Sequence, residues 1–139
     1  SPGRALALDG EDEAAARARM LRVLAALAEQ PASELSKVAQ EVSRSGLDAA
    51  LTAALAWYRD ALQTAVVGDA LPLRNPGAAA SLRAIAERRP PASLLRQLEV
   101  VCDTIADLEK NANRMLSVET MLLWLRELER REGSWKATP

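Results

Sequence analysis

The sequence predicts an all-α fold, a compact bundle of about five to six helices joined by short loops. Apolar residues make up 49% of the 139 residues and aromatic residues 3%, with no Phe. Much of the apolar fraction is Ala and Leu, which favour helix, while the aromatic residues typical of strands are scarce. Apolar residues also recur at helical spacing, and Gly or Pro residues separate the segments.

Composition restricts the classes of function. The net charge is −1, which argues against a dedicated nucleic-acid or membrane-surface protein. The chain has no His and a single Cys, Cys102, which excludes Ser-His-Asp catalysis, His-ligated zinc, an intramolecular disulfide and multi-cysteine metal sites. No transmembrane run or signal peptide is recognisable. We therefore expect a soluble, cytoplasmic domain that is not an enzyme and has no cofactor.

The N-terminal half contains four predicted helices, over residues 4–8, 11–29, 32–44 and 47–67. Ser1 suits an N-cap, and Asp9-Gly10 is expected to end the first helix. Gln30-Pro31 and Ser45-Gly46 separate the later ones. The inward positions of the second and third helices are Met20, Val23, Leu24, Leu27, Leu35, Val38, Ala39 and Val42. The fourth helix has an apolar stripe wide enough for contact on more than one side, with Trp57 off its centre.

Three further helices are predicted over residues 76–88, 92–111 and 117–131. The start of the first is marked by Asn75-Pro76, and the Arg89-Pro90-Pro91 break follows it. Residues 111–115 form a turn, and Ser117 is the expected cap of the last helix. Short loops join antiparallel neighbours. The last two helices should therefore bury four residues together: Leu98, Ile105, Leu122 and Leu125.

Two features of the sixth predicted helix could carry chemistry, but structural roles are favoured for both. Glu99, Asp103 and Asp107 follow one another at four-residue spacing. We interpret them as a solvated acidic face, because no second type of metal ligand is present. Cys102 lies on the apolar side, and its acidic neighbours oppose a reactive thiolate. We therefore expect a buried structural Cys.

Basic and aromatic residues give the candidate binding surfaces. Arg83, Arg88, Arg89 and Arg96 surround the Pro90-Pro91 break. Without aromatic partners they are more typical of a solubilising rim than of a nucleic-acid site, and tight DNA binding is not expected. Trp57, Leu123 and Trp124 widen the apolar stripes of the fourth and seventh helices, and Trp is enriched at interfaces. These three residues are the predicted interface candidates.

Three segments resemble the C-terminal region of bacterial clamp-loader subunits. Residues 1–8 (SPGRALAL) resemble the segment that ends the AAA+ module, which contains the sensor-2 helix. Residues 91–98 (PASLLRQL) are similar to the start of the penultimate helix. Residues 111–123 (NANRMLSVETMLL) resemble the asparagine-marked turn and final helix. Their order and spacing are those of the δ′ subunit of DNA polymerase III, and the resemblance spans essentially the whole chain.

The resemblance implies a non-catalytic collar domain, a helical bundle through which five subunits pack into a ring. Residues 1–10 would end the AAA+ lid, residues 11–133 would form the collar domain, and residues 134–139 a flexible tail. Arg4 matches the sensor-2 position. Because the sequence contains no phosphate-binding loop, Arg4 is not expected to have a nucleotide to sense here. The expected partners are the γ/τ and δ subunits. The alternatives are the equivalent γ/τ domain and a free-standing helical adaptor or regulator.

Overall fold

A computed structural model describes the backbone of residues 2–68, 73, 76–110 and 113–132, and the side chains of residues 10–68, 73, 77–110 and 113–131. Within these residues there are six α-helices and no strand, which confirms the predicted fold class. The α-helices are α1 (Pro2–Ala25), α2 (Ala32–Arg44), α3 (Leu47–Val67), α4 (Ala79–Arg88), α5 (Pro91–Leu108) and α6 (Arg114–Glu132). Two short 3₁₀ turns are Leu27–Glu29 and Pro76–Ala78.

Helix α3 is the centre of the bundle. It packs against α1, α5 and α4, and more lightly against α2. Trp57 and Tyr58 lie near the middle of this helix, and their side chains are almost completely buried. The prediction of a helix contacted on more than one side is therefore confirmed. The last helix, α6, packs against α2 and α5 and completes the bundle.

The turn between α2 and α3 depends on Gly46, which has a left-handed φ of 80°. A Cβ atom at this position would lie 2.6 Å from the Ala16 Cβ and 2.9 Å from the Asp12 carbonyl oxygen. Glycine is thus required both by the backbone conformation and by the close approach of α1. The predicted bounds of α2 and α3 agree with the structure at both ends.

Several predicted helix boundaries are wrong. The break at Asp9-Gly10 is absent, because α1 continues from Pro2 to Ala25. It ends before the predicted residue 29, and the 3₁₀ turn Leu27–Glu29 follows it. The helix predicted over residues 76–88 begins with the 3₁₀ turn Pro76–Ala78, and α4 itself starts at Ala79. The cap of α6 is Asn113 rather than Ser117, since the Leu116 backbone N–H donates to Asn113 Oδ1 at 3.0 Å. Helix α5 also ends earlier than predicted, at Leu108. The predicted Ser1 cap, Asn75 cap and 134–139 tail lie outside the described residues.

Most of the predicted core is confirmed. The inward positions of α1 and α2 are buried, as are five of α6: Val118, Met121, Leu122, Leu125 and Leu128. On α5 the buried residues are Leu94, Gln97 and Val101, of which only Gln97 was not expected to face inward. Leu98 and Ile105 only flank the core. The expectation of a buried Cys102 is wrong, since this residue is exposed.

Helix α6 also holds the turn between α1 and α2. Arg126 Nη1 donates to the Gln30 carbonyl oxygen at 2.9 Å, and Arg130 Nε donates to the Ala28 carbonyl oxygen at 2.9 Å. These arginines satisfy carbonyl groups that the end of a helical segment leaves without intrahelical partners. None of the described helices combines the length and apolarity that a membrane-spanning segment requires.

Candidate protein-contact surface

A groove of about 520 Å³ runs between α5 and α6 on the surface of the bundle. Its apolar lining consists of Val100, Leu116, Met121, Trp124 and Leu128. Leu116 is 51% exposed and Trp124 is 53% exposed. A large apolar side chain that remains half exposed beside a groove is typical of a site for another molecule.

The structure separates the three predicted interface residues. Trp124 is exposed in the groove, and Leu123 is partly buried against the core. Trp57 is 2% exposed, so the expectation that it lies on an exposed face is wrong. Its indole ring packs in the hydrophobic core beside the middle of α3. In a chain without Phe, Trp serves as the large aromatic core residue. Trp57 therefore cannot contact a partner in this conformation.

The two helices that form the groove are antiparallel. The Gln97 Nε2 atom donates to the Leu125 carbonyl oxygen at 2.9 Å, which joins α5 to α6. The antiparallel arrangement places the end of α5, with Asp103 and Asp107, beside the start of α6. Arg96 of α5 and Arg131 of α6 line the groove towards its other end. The groove thus has an acidic end and a basic end, with apolar residues between them.

The acidic face of α5 is solvated, as predicted. The side chains of Glu99, Asp103 and Asp107 are all exposed. In the part of the chain whose side chains are described, no group of three or more His, Cys, Asp or Glu residues is arranged to hold a metal ion. The role of Asp103 and Asp107 is therefore best considered with the groove that they line.

A polar cluster below the surface connects α4, α5 and α6. Arg89 Nη1 donates to Gln97 Oε1 at 2.7 Å and to Glu129 Oε1 at 3.3 Å. Arg89 is 2% exposed, so its predicted place in a solubilising rim is wrong. A charged group is buried this deeply only with charged or hydrogen-bonding partners. This cluster joins α5 to α6, the two helices that form the groove.

Burial changes the proton affinity of two groups near this cluster. Desolvation raises the pKa of the Glu129 carboxyl above its ordinary value of 4.5, although the Arg89 charge and the hydrogen bond from the Ala28 N–H act in the opposite direction. Desolvation and the Glu129 charge raise the pKa of the Tyr58 hydroxyl well above its ordinary value. The desolvation cost at Glu129 is thus only partly offset by Arg89.

Sequence reasoning missed Leu116 and misplaced Arg89. Leu116 was assigned to the boundary of a turn, although it lies four residues before Thr120 and eight before Trp124, on the face of α6 that lines the groove. That spacing was a usable signal. The burial of Arg89 had no local signal, because its partners Gln97 and Glu129 lie on two other helices, α5 and α6. The Arg4 side chain lies outside the described residues.

The structure therefore defines an all-α helical bundle with a half-exposed apolar groove between its last two helices. The family model described as "DNA polymerase III, delta subunit, C terminal" matches residues 11–127. The chain therefore belongs to this family of clamp-loader subunit domains. No curated protein and no solved structure matched the chain. The resemblance of the sequence to clamp-loader subunits is therefore confirmed. The family description names the delta subunit and not δ′.

Proposed function

We propose that this chain is the non-catalytic collar domain of a δ′-type subunit and helps to assemble the DNA polymerase III clamp loader in the cytoplasm. Its membership of the clamp-loader domain family supports the assembly role. The resemblance of residues 1–8, 91–98 and 111–123 supports the δ′ assignment. The domain division at residues 10 and 11, and the sensor-2 position of Arg4, belong to the same proposal.

The single observation that carries the assembly role is the half-exposed Trp124 beside the α5–α6 groove. Removing an exposed aromatic side chain from water contributes strongly to binding, and Trp is enriched among the residues that dominate interfaces. The buried Arg89 cluster and the contacts of α6 with residues 28 and 30 hold the groove in one shape. A neighbouring subunit would therefore meet a preformed surface, and the mechanism of the domain is packing.

A second contact surface is expected if the subunits form a ring by head-to-tail contacts, because each domain then uses two different patches. At the end of α3, Val66 is 65% exposed and Val67 is 44% exposed. These two residues are our choice for the second patch. They lie on a different helix from Leu116 and Trp124, so substitutions can address the two surfaces separately.

The δ subunit is the second candidate, because the family description names it. The γ/τ subunit and a free-standing adaptor remain the alternatives that the sequence left open. In this proposal the partners are the other clamp-loader subunits. Tight DNA binding by this chain is not part of the proposal.

Reconstitution with one subunit omitted distinguishes these assignments. The chain, in its full parent subunit where one exists, is mixed with the other clamp-loader subunits of the same source, leaving out δ, δ′ or γ/τ in turn. We expect a complete complex, measured by sedimentation, when δ′ is omitted. If only the mixture that lacks δ forms a complete complex, the chain is a δ subunit domain and the δ′ assignment is wrong. Failure to join any mixture would contradict the clamp-loader role.

A further inference from the structure

We infer that the α5–α6 groove receives one amphipathic helix of a neighbouring clamp-loader subunit, and that the charged ends of the groove select the charges of that helix. The inference rests on the proposed function, because it takes the occupant from an adjacent subunit. It deepens that function by specifying the kind of partner segment that binds.

The spacing of the lining residues favours a helix as the occupant. On α5 the groove is lined by Arg96, Val100, Asp103, Thr104 and Asp107. On α6 the lining residues include Leu116, Thr120, Trp124 and Leu128, which follow one another at four-residue intervals. Both walls therefore present rows of side chains at helical spacing. A third helix can insert its own ridge of side chains between two such rows.

The length of the groove fits a short helical segment. Residues 96–107 of α5 span about 16 Å, and residues 116–131 of α6 span about 22 Å, at 1.5 Å per residue. These lengths correspond to roughly three to four helical turns. Apolar residues at positions i, i+3 or i+4, and i+7 of the incoming helix would cover Leu116 and Trp124.

The charges of the groove add selectivity to this apolar contact. Asp103 and Asp107 line one end, and Arg96 and Arg131 line the other. Arg131 Nε lies 3.0 Å from Glu127 Oε1, but both side chains of this pair are largely exposed. An exposed ion pair of this kind contributes little to stability, so Arg131 can leave Glu127 and pair with a carboxylate of the partner. The matching helix therefore carries Lys or Arg at one end and Glu or Asp at the other.

Binding of synthetic helical peptides to the chain tests the charge selection. Three labelled peptides of about four turns share one apolar stripe and carry Lys at one end and Glu at the other, Lys at both ends, or Glu at both ends. By fluorescence anisotropy, the Lys–Glu peptide should bind about tenfold more tightly than the other two. Asp103→Lys should shift the preference of the chain towards the peptide with Glu at both ends.

Two control variants are matched to the groove variants. Glu99→Lys makes the same charge change four residues from Asp103 on α5, but Glu99 does not line the groove. Leu95 is 45% exposed and lies outside the groove, whereas Leu116 is 51% exposed and lies inside it. We expect Asp103→Lys and Leu116→Asp to weaken binding of the Lys–Glu peptide, and Glu99→Lys and Leu95→Asp to leave it unchanged.

Equal binding of the three peptides, or equal effects of groove and control variants, would overturn the charge-selected groove. A dimer of the chain that Leu116→Asp dissociates would also overturn it, because the occupant would then be a second copy. Complex assembly separates this inference from the proposed function. If the wild-type chain joins the clamp loader and Asp103→Lys joins equally well, the groove inference fails and the assembly role stands. If the wild-type chain joins no complex, the assembly role fails and the neighbouring subunit is lost as the source of the helix.

Discussion

The Arg89 guanidinium lies 3.3 Å from the Glu129 carboxylate, with the Arg89 side chain 2% exposed and the Glu129 side chain 12% exposed. This pair connects Arg89, at the C-terminal end of α4, to the last third of α6. Gln97 accepts a second hydrogen bond from the same guanidinium nitrogen. The relative position of the two groove-forming helices therefore depends on a buried charge pair as well as on apolar packing.

Loss of the arginine should strongly destabilise the fold. Arg89→Met keeps much of the apolar stem but leaves the Glu129 carboxylate buried without its cation. We expect the free energy of unfolding to fall by about 3–5 kcal/mol, measured by urea denaturation at pH 7. Adding Glu129→Gln to Arg89→Met should recover part of this loss, because the remaining group is neutral. A loss below about 1 kcal/mol in the single variant would mean that the pair is effectively solvated.

The raised pKa of Glu129 predicts the sign of a pH effect on stability. A carboxyl group with a higher pKa in the folded than in the unfolded state binds more protons when folded, so its ionisation opposes folding. As the pH rises from about the ordinary value of 4.5 through the raised folded pKa, wild type should lose stability relative to Glu129→Gln. Urea denaturation of both proteins from acidic to neutral pH measures this difference. A relative gain for wild type would show that Arg89 outweighs desolvation.

A cavity in the α6 core should be costly. Leu122 is 0% exposed, whereas Leu116 on the same helix is 51% exposed. We expect Leu122→Ala to lower the free energy of unfolding by about 2–5 kcal/mol. Leu116→Ala serves as the matched control and should cost less than about 1 kcal/mol. Similar melting temperatures for Leu122→Ala and wild type would contradict the packing of α6.

Two glycines should respond to alanine in opposite directions. Gly10 lies within α1, and an added Cβ atom there meets no atom within 4 Å. Gly10→Ala should therefore stabilise the chain by about 0.5–1 kcal/mol. Gly46→Ala should destabilise it by more than that, because its φ is 80° and the new Cβ would lie 2.6 Å from Ala16 Cβ. Thermal unfolding of both variants measures the difference. Destabilisation by Gly10→Ala would favour the helix break that the sequence predicted.

Local signals predicted those parts of the fold that local physics determines. Pro31 and Gly46 mark the starts of α2 and α3. The proline ring restricts φ at one position and glycine permits a left-handed φ at the other, so both effects are readable from a single residue. The break at Gly10 was wrong because glycine merely weakens a helix, and the favourable flanking residues are sufficient to continue it. The inward face of α5 was predicted only in part. Periodicity placed Cys102 inside and left Gln97 out, since it treats a polar residue as exposed.

The candidate site could be predicted only in part. Trp124 was recognised because it widens an apolar stripe that is already complete. The resulting apolar surface is broader than a helix needs when it packs on one side only. Trp57 looked similar on its own helix, but α3 has neighbours on several sides and buries it. The groove itself requires two helices to be placed side by side. The short loop between α5 and α6 predicted their antiparallel pairing. Which charged residues then line the groove depends on how each helix is turned about its axis, which no local pattern specifies.

Assembly with the other clamp-loader subunits tests the central claim most directly. The wild-type chain and its Trp124→Glu and Leu95→Glu variants are each mixed with the γ/τ and δ subunits of the same source, and complex formation is measured by analytical ultracentrifugation. We predict that wild type and Leu95→Glu enter a larger complex, and that Trp124→Glu, with unchanged helical content, does not. Entry of all three chains would contradict the assigned surface, and entry of none would contradict the collar function.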